Sequence, residues 1–138
     1  MNESVEPPLP SGRREPSGTA RALLMIAAVI VVAESAVYLV LAALDLRDTP
    51  SERLVSGIGI AVLLAAYGIG QLVAMWLLLQ GHRGARAPLI VTQLLQALVA
   101  TSLRDEPRLA LAVAVPAVVV LVILLSPPVS AVLADDDV

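Results

Sequence analysis

Four long apolar runs, separated by short polar segments, set the pattern of this chain. The first, residues 22–44, reads ALLMIAAVIVVAESAVYLVLAAL. At about 1.5 Å per residue it reaches roughly 34 Å as a helix, against about 30 Å for the hydrocarbon core of a bilayer. The others lie at about 52–79, 88–103 and 108–125, the third of them short for a span. The pattern predicts an all-α protein, an integral membrane four-helix bundle with antiparallel up-down topology, over residues 20–133. Residues 1–19, rich in Pro, Glu, Ser and Gly, are expected to form a disordered cytoplasmic tail, and 134–138 an acidic one. A mixed-charge leader before a run of full spanning length fits an uncleaved first span better than a signal peptide.

The polar residues inside the runs carry most of the information. Glu34 sits near the centre of the first. Its twelve Leu, Ile and Val residues favour insertion by about 4 to 7 kcal/mol, against about 2.5 to 3.5 kcal/mol for a central acid. The run inserts, but Glu34 needs a partner from other helices. Tyr38 follows one turn later on the same face. In the second run Gly57, Ala61, Gly68 and Gln71 share one face, while Gly59, Ala66 and Gly70 share the other. Both small-residue faces, Gly57/Gly68 and Gly59/Gly70, are expected to admit close helix packing. Gln93 and Gln96 lie on one side of the third run with Arg86 at its base, and two mid-depth amides should point inward. Up-down topology brings Glu34, Tyr67, Gln93 and Gln96 near mid-depth, with Tyr38 and Gln71 about a turn away, so amides and phenols are the expected partners of the acid.

The punctuation is read from caps and prolines. Thr49-Pro50-Ser51-Glu52 has the form of a capping box at the start of the second helix. Asp105 or Glu106 is expected to cap the fourth helix ahead of Pro107. Pro116 should kink that helix by freeing the Ala112 carbonyl, and Pro127-Pro128 should end it, with a short surface helix after it. Trp76 falls where an interfacial aromatic belongs.

Composition narrows the chemistry. The 138 residues are 58% hydrophobic and 15% charged, with no Phe, no Cys and a net charge of −3. Such a chain has too little polar surface for a water-soluble globule. Nothing points to nucleic acid, and the absence of Cys excludes disulfides and thiol chemistry. All nine cations are Arg. Arg13, Arg14, Arg21, Arg83 and Arg86 fall on one side of the expected topology, and Arg47, Arg53, Arg104 and Arg108 on the other. The purely basic 80–87 loop tips the assignment to a plasma-membrane protein with both termini cytoplasmic. His82 is expected to be solvated, and Arg83 and Arg86 to meet anionic headgroups. No nucleophile–base pair, phosphate loop or metal spacing is present, so no catalytic residue, cofactor or metal ligand is expected and the chain is not expected to be an enzyme. Glu34 remains open to two readings: a protonatable transport site, or a lock between helices.

AES in the first run, YGIGQ in the second, RGARAPLIVTQLLQ across the next loop and run, and the closing Pro pair resemble a family of small four-span integral membrane proteins of actinobacteria (high-GC Gram-positive bacteria). The resemblance covers residues 20–133, is most specific over 83–96, and implies a four-helix plasma-membrane protein without implying an activity. Glu34 also resembles the first-helix acid of small multidrug resistance transporters, although Gln93 and Gln96 stand where their Trp- and Gly-rich third-span signature would be. The sequence thus leads to a non-enzymatic accessory or structural membrane component, with a small proton-coupled transporter using Glu34 as the alternative. The expected partners are the lipid bilayer and other membrane proteins or further copies of the chain.

Overall fold

The computed structural model describes residues 18–134, and among these there are helices and no strands. Five α-helices follow one another: α1 Gly18–Asp48, α2 Leu54–Leu79, α3 Arg86–Ser102, α4 Pro107–Leu125 and α5 Pro127–Ala134. Short 3₁₀ turns at Ser51–Arg53 and Arg83–Ala85 lead into α2 and α3. The expected tails fall outside the described residues, except that Gly18 and Thr19 are already helical and Ala134 ends α5. α1 outruns the expected 22–44 because nothing breaks it before Pro50, which disfavours helical backbone at the residue ahead of it.

Three stretches are long and apolar enough to cross a membrane: Gly18–Asp48, Ser51–Leu79 and Pro107–Leu125. α3 has 17 residues and reaches only about 25 Å. The preceding 3₁₀ turn adds about 6 Å, bringing the continuous coil close to bilayer thickness.

α1 packs along α2, α4 and α5, and α3 packs along α2 and α4. The apolar core is concentrated toward one end. It joins Leu24, Ala27 and Val31 of α1 to Ala74, Met75 and Leu78 of α2, Leu89 of α3, and Val120, Ile123 and Leu124 of α4, with Val129 and Leu133 of α5 closing it. Large apolar side chains elsewhere face outward; Val55 is 89% exposed, Leu63 70% and Val29 69%. At the other end an apolar groove of about 560 Å³ runs between α1 and α2, floored by Ala42, Ala43, Ala61 and Ala65.

The turns follow local chemistry, with two departures from expectation. α2 ends in a Schellman motif: His82 N–H donates to Leu77 O at 2.9 Å, Gly81 N–H donates to Leu78 O at 3.0 Å, and Gly81 takes φ +89°. The Thr49 capping box does not form. Thr49 Oγ1 instead donates back to Asp45 O at the end of α1, and the Ser51–Arg53 turn precedes α2 without a side-chain cap. Glu106 is the N-cap residue of α4, but Pro107 rather than a capping side chain marks the start. α4 runs on through Pro116. It stops at Ser126, whose ψ of 144° is the extended conformation favoured before proline. The expected short helix after it is α5, anchored by buried Val129 and Leu133.

Candidate functional site

Glu34 lies in the middle of α1, on the face that also buries Val31 and Ala27. The helical repeat places Gln93 and Gln96 one turn apart on α3, both pointing inward. Gln93 Nε2 donates to Glu34 Oε2 at 3.1 Å, and Gln96 Nε2 donates to Glu34 Oε1 at 2.8 Å. Each carboxyl oxygen therefore has one amide partner. α1 and α3 both pack chiefly on α2 and α4, so these bonds cross the interior between helices that share neighbours.

Gln71 on α2 extends the network. Its Nε2 donates to Gln96 Oε1 across a long 3.5 Å, so Gln96 accepts from one helix and donates to another. All four side chains are sealed from solvent: Glu34 is 7% exposed, Gln96 4%, and Gln71 and Gln93 0%. The accounting is incomplete in one respect. Among the described residues Gln71 Oε1 and Gln93 Oε1 find no hydrogen-bond partner, and neither does Ser35 Oγ, which follows the acid in sequence.

The two tyrosines pair beside the acid, with Tyr67 also next to Gln71. Their rings meet edge to face, with centroids 4.9 Å apart and planes at 76°. Tyr67 Oη donates to Thr92 O at 2.7 Å, tying α2 to the backbone of α3. The expectation that a phenol would partner the acid is therefore corrected: amides occupy both carboxyl oxygens, and the Tyr67 hydroxyl is spent on a carbonyl.

The glycines divide as their faces do. A side chain at Gly68 would lie 3.1 Å from Ser35 O and 3.3 Å from Tyr38 Cβ, so α1 and α2 touch there through backbone. At Gly57 a side chain would run into Thr49. Gly59 and Gly70 have open space among the described residues, so of the two small-residue faces expected to admit close packing one is gripped by a helix of this chain. The gripped face is the one carrying Gln71.

Arg86 has a role that the loop reading missed. Its Nη2 donates to Leu124 O at 2.7 Å and to Ser130 Oγ at 2.8 Å. Leu124 O would ordinarily accept from the N–H four residues on, but that residue is Pro128, which has none. Arg86 supplies the missing donor and ties α3 to the α4–α5 junction, while Ser126 N and Oγ serve Ile123 O. The signal was present as a Pro pair that orphans two carbonyls and an Arg on the inward face of the third helix. Among the described residues no three His, Cys, Asp or Glu side chains gather to hold a metal ion. No known protein family, curated protein or solved structure matches the chain.

Proposed function

We propose that this chain is a small, non-enzymatic membrane protein, an accessory or structural component whose four helices span the plasma membrane in alternating directions with both termini in the cytoplasm. One observation carries the reading: the acid in the middle of α1 is enclosed by amides from α3, Gln93 and Gln96, which secures α1 to α3. A buried polar lock inside an outward-facing apolar surface is the arrangement that bilayer helices use to specify packing, because apolar contacts alone distinguish poorly between helix partners in lipid. The core supports alternating directions, since the beginnings of α1 and α3 meet the ends of α2 and α4. The resemblance of residues 83–96 to small actinobacterial four-span membrane proteins, read from the sequence alone, belongs to the same proposal. The partners of this reading are bilayer lipid and neighbouring membrane proteins, either unlike or further copies of the chain.

Affinity purification from native membranes tests the accessory role. A defined membrane protein should co-purify with wild type and equally with a folded Glu34→Gln variant. The competing reading, a small proton-coupled transporter, draws on the unpartnered Gln71 Oε1 and Gln93 Oε1 beside the acid. It requires an acid-driven substrate flux in reconstituted vesicles that Glu34→Gln abolishes.

A further inference from the structure

One carboxyl group is enclosed by helical stretches that carry no opposing charge. Within residues 22–44 the ionisable side chains are Glu34 and Tyr38, within Leu54–Leu79 Tyr67 alone, and within 87–102 and 109–134 there are none. Arg86, the next cation along α3, is engaged with Leu124 O and Ser130 Oγ. An ionised carboxylate removed from water loses far more solvation than two amide N–H bonds return. The residues that face Glu34 thus supply hydrogen bonds but no counter-charge.

The same cluster holds spare oxygen atoms. Gln93 Oε1 belongs to the amide that reaches Glu34, and Gln71 Oε1 to the amide that reaches Gln96. Both side chains are 0% exposed. Buried acceptors without donors are unfavourable, and carboxylate, amide and hydroxyl oxygens are the ligand set of hard cations. Turning the Gln93 amide over exchanges its nitrogen and oxygen, which would set Oε1 against Glu34 Oε2. That oxygen can then accept a hydrogen bond from the O–H of a protonated Glu34 or ligate an ion. One carboxylate balances one positive charge, whereas a divalent ion would leave an excess charge in a low-dielectric interior.

We propose that Glu34, surrounded by Gln71, Gln93 and Gln96, binds a single monovalent cation, either a proton or a sodium ion. The proposal rests on the membrane reading above: lipid around the helices keeps dissolved counter-ions away from the bundle, so the charge must be balanced inside the cluster. Infrared spectroscopy of the purified protein in lipid nanodiscs at neutral pH tests it, in sodium-free choline buffer and after exchange into sodium chloride. The proton arm expects the carbonyl stretch of a neutral carboxylic acid in both buffers, absent from Glu34→Gln. The sodium arm expects that band in choline and its loss on adding sodium. A carboxylate signal in choline that sodium leaves unchanged overturns the proposal. Labelling of wild type by dicyclohexylcarbodiimide, mapped by peptide mass spectrometry, gives a readout that needs no variant. Modification at Glu34 that falls with rising pH supports the proton arm, protection by sodium supports the sodium arm, and no modification at acid pH overturns both. A chain that stays in solution without detergent would remove the membrane reading itself, whatever the spectrum.

Discussion

Gln96 is the residue on which the buried network turns. It donates to Glu34 and accepts from Gln71, whereas Gln93 makes one bond. Interhelical side-chain bonds in membrane proteins average about 0.6 kcal/mol with a maximum near 1.7 kcal/mol. Gln96→Ala should therefore destabilise the protein by about 1–2 kcal/mol, and Gln93→Ala by roughly half as much, in denaturation by sodium dodecyl sulfate followed by circular dichroism. Equal effects would show that Gln71 adds nothing through Gln96. Gly68 offers a second comparison, because a methyl group there meets the Ser35 carbonyl, a backbone atom that cannot turn aside. Gly68→Ala should cost about 1–3 kcal/mol, while Gly70→Ala, with open space, should be neutral or stabilising by up to about 1 kcal/mol through helix propensity. The same unfolding assay checks both. The chemistry of Glu34, Gln93 and Gln96 was legible in sequence because an acid and two amides at mid-depth must turn inward. Which atom serves which was not, since phenols and amides satisfy the same carboxyl equally well on paper.

Among the elements, α5 depends most on distant sequence. Its own eight residues make a short helix, and its place is set by Val129 and Leu133 in the core and by the Arg86 guanidinium. Hydrogen bonds to charged groups contribute about 1.5–3 kcal/mol. Arg86→Ala should accordingly speed amide hydrogen exchange across α5 selectively, leaving α2 protected. Pro128→Ala restores an N–H for Leu124 O, so Arg86→Ala should cost less in that background; additive effects would refute the proline-orphaned carbonyl as the reason for the clamp. The Pro pair could be read as a helix stop, but the identity of the donor that repairs it lies 38 residues away. The Thr49 capping box failed for a local reason: the end of α1 offered Asp45 O as a competing acceptor for the same hydroxyl.

For the whole molecule, the apolar surface and the central acid make a testable pair. The chain has no Cys, so single cysteines report topology directly. In intact cells, His82→Cys should resist a membrane-impermeant maleimide and Asp105→Cys should react, with the pattern reversed in inverted vesicles. Labelling of both from one side would dismantle the alternating arrangement. α3 is the weakest member of that arrangement, at 17 residues, and crosses only if the Arg83–Ala85 turn extends it.

Taken alone, the amino-acid order determined that the chain forms long apolar helices, which segments connect them, and that Glu34, Gln93 and Gln96 must find polar company. Those outcomes follow from short-range rules: a helix repeat of about 3.6 residues, prolines without an N–H, and the expense of burying an acid in hydrocarbon. Only the assembled structure decided that amides rather than phenols hold the carboxyl, that one glycine face of α2 is occupied and the other open, and that Arg86 clamps the α4–α5 junction. Each of these choices is made between groups of similar local chemistry. They are separated by ångström differences in where neighbouring backbones lie, and backbone placement is a property of all the helices packed together.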